Sequence, residues 1–201
     1  MTDNFALLSE SRRPWLDADL LKQKFLTIAS DAHPDRIHGA SQSEKTEITR
    51  RYTQLNAAYH CLAEPKSRLL HLLELELGAK PKDIQQIPTA LADLFAEVAT
   101  SCNRADGFLA EKSRATSPLL QVQFIERGQE WVERLHALKK KLGELRGKLE
   151  DDLKSLDEKW MVPEAGSRQE ILPELEELYR LFSYFNRWNA QIQDRVVQLS
   201  I

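Results

Sequence analysis

Apolar residues recur at helical spacing along most of the chain. Leu21, Phe25, Ile28 and Ala32 fall three or four apart behind Asp17, a residue suited to N-capping. That spacing predicts a helix from Asp17 to about Ala32. It stops at His33-Pro34-Asp35, where proline withholds the N–H that a further turn would need. Ser41-Gln42-Ser43-Glu44 has capping-box spacing and opens a second helix striped by Ile48, Tyr52, Leu55, Tyr59 and Leu62. Two such stripes joined by a short polar loop predict an antiparallel helical hairpin. Pro65 suits the first position of another helix, and Gly78 suits its left-handed C-cap.

Residues 79–88 carry two prolines and no dominant period, and are expected to form a linker. Three helical segments follow. The first spans about 89–115, with Leu91, Leu94, Phe95, Val98, Cys102, Ala105 and Leu109 on one side. The second starts at Ser117-Pro118 and reaches about Trp160; Leu135, Leu138, Leu142, Leu145, Leu149, Leu153 and Leu156 run along it close to a heptad seam. Ser167-Arg168-Gln169-Glu170 has capping-box spacing, and the last helix shows Leu175, Leu178, Phe182, Phe185, Trp188 and Ile192. Short connections favour antiparallel neighbours, so an elongated antiparallel three-helix bundle is expected over 89–201. The expected domains are a helical-hairpin module over 1–78, a linker over 79–88 and the bundle over 89–201.

Composition agrees with an all-α fold. The chain has 31 Leu against 9 Ile and 6 Val, a bias away from the β-branched residues that favour strands. Only 7 of 201 residues are Gly, which leaves few tight turns for a many-stranded architecture. Net charge is −3, so nothing global favours nucleic acid or an anionic membrane. Lys139-Lys140-Lys141 is flanked by Glu133 and Glu144 and reads as a solvated helix face. No apolar run approaches the roughly 20 residues of a membrane span, and Met1-Thr2-Asp3-Asn4 lacks the order of a secretory signal. Cys61 and Cys102 show no paired metal-ligand spacing. These features point to a reducing, cytoplasmic setting. His33 and His38 flank one loop, but no third ligand is near in sequence, so no metal site and no cofactor is expected. Nor is there a Gly-rich phosphate loop, a nucleophile elbow or a zinc-enzyme motif, and the chain is not expected to be an enzyme.

The sharpest motif is His33-Pro34-Asp35. Three residues alone are weak evidence, but these end one amphipathic helix and precede a polar loop and a second helix. This region resembles the J-domain, the module by which co-chaperones act on ATP-driven heat-shock chaperones. The resemblance continues through Asn56-Ala57-Ala58-Tyr59-His60-Cys61-Leu62-Ala63-Glu64-Pro65-Lys66-Ser67-Arg68, and Phe5-Ala6-Leu7-Leu8 looks like the family's opening helix. An apolar helix and then a bundle follow, an order similar to that of the HscB-type co-chaperones of iron–sulfur cluster assembly. Over 84–201 the likeness is one of architecture. Two departures stand out. Ala32 replaces the aromatic that usually precedes the tripeptide, and the helix before it is only weakly basic.

The resemblance implies two binding surfaces. His33, Pro34 and Asp35, with Lys22 and Lys24 on the preceding helix, would contact the ATP-driven heat-shock chaperone. Leu91, Leu94, Phe95 and Val98, with Leu181 or Phe182 on the last helix, would contact a client, an iron–sulfur cluster scaffold protein if the likeness holds throughout. Each of these six also fits a buried stripe, so core packing stands as the alternative role. At the level of the whole chain, the alternatives are a helical scaffold or oligomerisation protein with a degenerate J-like domain, and a J-domain protein with another client.

Overall fold

The structure, a computed structural model, describes residues 2–31, 41–81, 88, 91–115, 117–162 and 168–200. The described residues form α1 (Asn4–Leu7), α2 (Ala18–Asp31), α3 (Gln42–Ala63), α4 (Pro65–Leu77), α5 (Ala92–Lys112), α6 (Pro118–Met161) and α7 (Arg168–Ser200), with no strand among them. The fold is all-α. Local signals placed the helix ends. The Asp17 carboxylate accepts from the Asp19 and Leu20 amides at 3.0 and 2.9 Å. Ser41 and Glu44 form the complete capping box of α3. Pro65 opens α4, and Gly78 ends it at φ 71°, a conformation that costs glycine nothing.

The chain divides into two compact units, residues 1–82 with 150–180 and residues 83–149 with 181–201. These boundaries differ from the expected division at 79–88. Residues 82–87 of that segment lie outside the described residues, as do 89 and 90 just after it.

In the first unit, α3 packs against α1, α2 and α4. Phe25 of α2 stacks on Tyr59 of α3 with ring centroids 4.5 Å apart. Phe5, Leu8, Leu21, Leu55, Leu62, Leu69, Leu72 and Leu73 are buried, and so are Leu153, Leu156 and Trp160 from the end of α6. The segment before α2 is tied to α6 by polar contacts. Asp157, only 2% exposed, accepts from Arg13 Nε at 3.0 and 3.1 Å, from Arg13 Nη2, and from the Trp15 amide at 3.1 Å. Trp160 Nε1 donates to the Arg12 carbonyl at 2.9 Å. Such pairing is what a carboxylate needs in order to stay charged away from water. His71 of α4 is buried as well; its Nε2 accepts from the Asn4 amide at 3.0 Å and its ring stacks on Phe5.

In the second unit, one apolar core is built from three helices. It joins Val98, Cys102, Ala105 and Phe108 of α5, Leu135, Leu138 and Leu142 of α6, and Phe185, Trp188, Ile192, Val196 and Leu199 of α7. Phe108 is buried where the stripe expected Leu109, which is only half-buried. Polar ties flank this core: Arg195–Asp106 and Lys141–Glu97, both at 2.7 Å, and Lys139–Gln193 at 2.7 Å.

Two stability tests follow from the first unit. Asp157→Ala leaves Arg13 and the Trp15 amide without their acceptor, and should cost about 2–4 kcal/mol in chemical denaturation. Burial pushes the His71 pKa below its ordinary 6.5, against the opposing pull of Asp3 and Glu74. The unfolded chain therefore binds a proton that the folded ring resists, and this site's contribution to stability is lost as pH falls below about 6.5 towards the lower folded value. His71→Gln keeps an acceptor for the Asn4 amide but cannot titrate. It should flatten the melting-temperature profile between about pH 6.5 and the onset of carboxylate titration. An unchanged slope would mean that the histidine is not the source.

Candidate functional site

Two regions carry the expected binding residues, one in each unit. The first is the hairpin of α2 and α3. His33, Pro34 and Asp35 lie outside the described residues; α2 and α3 stand on either side of them in sequence. Leu21, Phe25 and Ala29 of α2 are buried, which turns Asp19, Gln23, Leu26 and Ser30 outwards. Leu20 and Leu26 are 65% and 54% exposed. Lys22 is exposed. Lys24 is held inside the unit: its Nζ donates to the Glu10 carboxylate and to the Ser9 carbonyl, both at 2.8 Å. The outward face of α2 is therefore mixed apolar and polar, with one open lysine where two were expected.

On α3, Lys45 and Arg51 are exposed, and the Arg50 guanidinium is paired with Glu47, Nε to carboxylate at 2.9 Å. That contact holds the Glu47 carboxyl below its ordinary pKa. The Ser41 hydroxyl and amide do the same for Glu44. The Arg50–Glu47 pair carries little weight in stability, since both side chains lie in solvent, whereas the Ser41–Glu44 contacts cap α3.

Arg68, which closes the run resembling a J-domain, is a structural residue. It is 3% exposed, its Nε donates to the Pro14 carbonyl at 2.7 Å, and Nη1 donates to the Leu62 carbonyl at 2.5 Å. Burial pulls its pKa down to about 10, while Glu64, Asp157 and Glu150 act in the opposite direction. Even so, it stays protonated at neutral pH. It fastens the α3–α4 turn to the segment that leads into α2. The sequence offered a signal for this, an arginine three residues after Pro65, but not its partners.

The second region is the N-terminal half of α5 beside α7. Phe95 approaches Trp188 with ring centroids 6.2 Å apart, so these helices are neighbours as expected. The six expected client residues do not share one environment. Leu91 and Val98 lie in the core of the second unit, and Phe182 is fully buried with the Arg146 guanidinium 6.0 Å over its ring. Their place on a partner surface is corrected: side chains with almost no accessible area offer none to a partner. Leu94 and Leu181 are half-buried against the same core. Phe95, at 41% exposed, is the apolar residue of the six that is open to solvent, next to the exposed Asp93, Ala96 and Glu97.

No protein-family model matches the sequence. The Co-chaperone protein HscB homolog of Shewanella loihica is 24% identical over 190 residues, an alignment covering 94% of each chain. The HscB homolog of Paraburkholderia xenovorans is 35% identical over 68 residues, which is 32% of this chain and 39% of that protein. In three dimensions, the chaperone HscB from Vibrio cholerae matches with a TM-score of 0.63 at 18% identity, over 98% of this chain and 99% of that one. The chain is related to the HscB co-chaperones. Its likeness to HscB extends over both units, and the resemblance read from residues 4–78 is joined by a match of fold through the bundle.

No helix among the described residues is long and apolar enough to cross a membrane. None of their His, Cys, Asp and Glu side chains gather in a group of three or more that could hold a metal ion.

Burial separates the residues of the HscB-like bundle into two groups that mutation should distinguish. Val98→Asp places a charge in the core and should abolish cooperative melting of the second unit. Phe95→Asp should keep helicity and cost no more than about 1–2 kcal/mol, since its ring is already open to solvent on one side and loses mainly the Trp188 contact. Circular dichroism with thermal melting checks both. A collapse caused by Phe95→Asp would place that ring in the core.

Proposed function

We propose that the chain is a co-chaperone: its first unit docks on an ATP-driven Hsp70-type chaperone and stimulates that partner's ATPase, and its second unit delivers a client, an iron–sulfur cluster scaffold protein. One observation carries this reading. The His33-Pro34-Asp35 tripeptide falls between α2 and α3 of a helical hairpin, in a chain that aligns with an HscB homolog over 94% of both lengths. Asp35 supplies a charge-assisted acceptor for a cation on the chaperone, and Pro34 limits the backbone freedom lost on docking. Lys22 adds an open positive charge on α2. Phe95 supplies an exposed aromatic anchor in the second unit, with Leu94 and Leu181 at its edge. Holding client and chaperone on one chain turns the second encounter into an intramolecular one, so two weak contacts act as a strong one. The chain performs no chemistry itself in this scheme and works in the cytoplasm.

The test is stimulation of a purified Hsp70-type ATPase by the full-length chain. His33→Gln and Asp35→Asn should abolish stimulation while leaving the melting temperature nearly unchanged, because surface-loop changes usually fall within about ±0.5 kcal/mol. Equal stimulation by wild type and both variants removes the J-domain role and favours a helical scaffold. For the client, capture of an iron–sulfur scaffold protein by the full-length chain should be lost with Phe95→Asp and kept with His33→Gln.

A further inference from the structure

Lys24 Nζ is engaged within the first unit, and the device that engages it is built into the turn after α1. Phe5 of that helix and Leu8, its C-cap, are fully buried and anchor it in the first unit. The chain then reverses through Ser9, whose φ of 53° lies in the left-handed region that non-glycine residues rarely occupy. Hydrogen bonds from the Ser9 amide to the Ala6 carbonyl, 3.1 Å, and from the Glu10 amide to the Phe5 carbonyl, 2.8 Å, fix the turn. In this conformation the Ser9 carbonyl and the Glu10 carboxylate converge on the same ammonium, each 2.8 Å from Lys24 Nζ. The Glu10 side chain is 18% exposed and that of Lys24 40%, so the pair is partly shielded from water and salt. A strained residue held on an anchored turn, with two acceptors on one cation, makes a preorganised clamp.

We infer that Glu10 is a specificity-determining residue: by clamping Lys24, it lowers the positive charge that α2 offers to a chaperone and so sets how strongly the two couple. This rests on the co-chaperone reading above. Long-range charge steers encounter and suppresses wrong partners, so cancelling one of the two lysines on a short helix weakens docking on acidic surfaces in general. Partners that also engage the exposed Leu20 and Leu26 lose proportionately less. The clamp narrows the range of chaperones that this chain serves. Glu10 acts through Lys24 and is a positioning residue.

Two measurements on the full-length protein test this. The first needs no chaperone. Limited acylation with an amine-reactive ester, read by mass spectrometry, should label Lys22 faster than Lys24 in the wild type, and Glu10→Gln should raise labelling at Lys24 alone. The second is ATPase stimulation of a purified Hsp70-type chaperone. Glu10→Gln should lower the half-saturating concentration roughly threefold to fivefold and steepen its salt dependence. Adding Lys24→Ala to Glu10→Gln should reverse the gain. Glu133→Gln, the same change of net charge on an exposed position of α6, should have no effect. Unchanged Lys24 labelling in Glu10→Gln overturns the clamp. Labelling that rises without tighter coupling, or a gain that survives Lys24→Ala or is matched by Glu133→Gln, overturns the specificity role. A chain that stimulates no chaperone in any variant, yet shows the labelling change, overturns the co-chaperone reading and the specificity role with it, while the clamp stands.

Discussion

A carboxylate that is 2% exposed has to find donors, and Asp157 finds them on one short segment. Arg13 gives two nitrogens and the Trp15 amide a third donor. The same segment is held from its other sides, since Arg68 donates to the Pro14 carbonyl and Trp160 to the Arg12 carbonyl. Residues 12–15 belong to no helix, so their polar backbone groups cannot be paired by regular structure. Side chains of α4 and α6 pair them instead. Two buried charges of opposite sign, Arg68 and Asp157, are thereby supplied with partners by the same four residues. Removing either one leaves partly or fully buried groups without their hydrogen-bond partners, which destabilises the first unit.

What that cluster holds in place is the entry to α2. The segment leads through Asp17 into the helix, the Lys24 clamp secures the middle, and the Phe25–Tyr59 stack fixes α2 against α3. A helix fastened at three levels presents its outward residues with little entropy left to lose on docking. Those residues are mostly Leu20, Gln23, Leu26 and Ser30, not a row of cations. Precision of presentation, rather than field strength, is what this hairpin offers a partner.

The sequence made the helix boundaries readable because each boundary is set locally. Asp17, the Ser41–Glu44 box, Pro65 and Gly78 act within a turn of themselves, and all four serve as expected. The His33-Pro34-Asp35 motif is contiguous and so readable as a motif, but it lies outside the described residues. Burial was less legible. Leu91, Val98 and Phe95 share one stripe, yet the first two are core and the third is open, because an apolar stripe records the helix period and not where a neighbouring helix stops covering it. Phe108 displaced Leu109 from the core by the same ambiguity of about one residue. The fate of Lys24 and the pairing of Asp157 were not readable at all. The first depends on a left-handed Ser9 that no glycine signals, and the second joins residues 144 apart in sequence.

That separation also shapes how the protein must fold. Sequence continuity suggests that residues 1–78 form first as a self-contained module, but the compact unit includes 150–180. Trp160, Leu153 and Asp157 close over a surface that an isolated N-terminal stretch would leave exposed, with Arg13 and Trp15 unpaired. Contacts that span this much chain form late, since the loop between them has to be ordered before they contribute. The α2–α3 hairpin is built from contacts close in sequence, whereas the ties between the 12–15 segment and α6 span 142 to 148 residues. Joining the unit through α6 makes the integrity of the α2–α3 hairpin depend on residues that sequence order alone would assign to the other half of the chain.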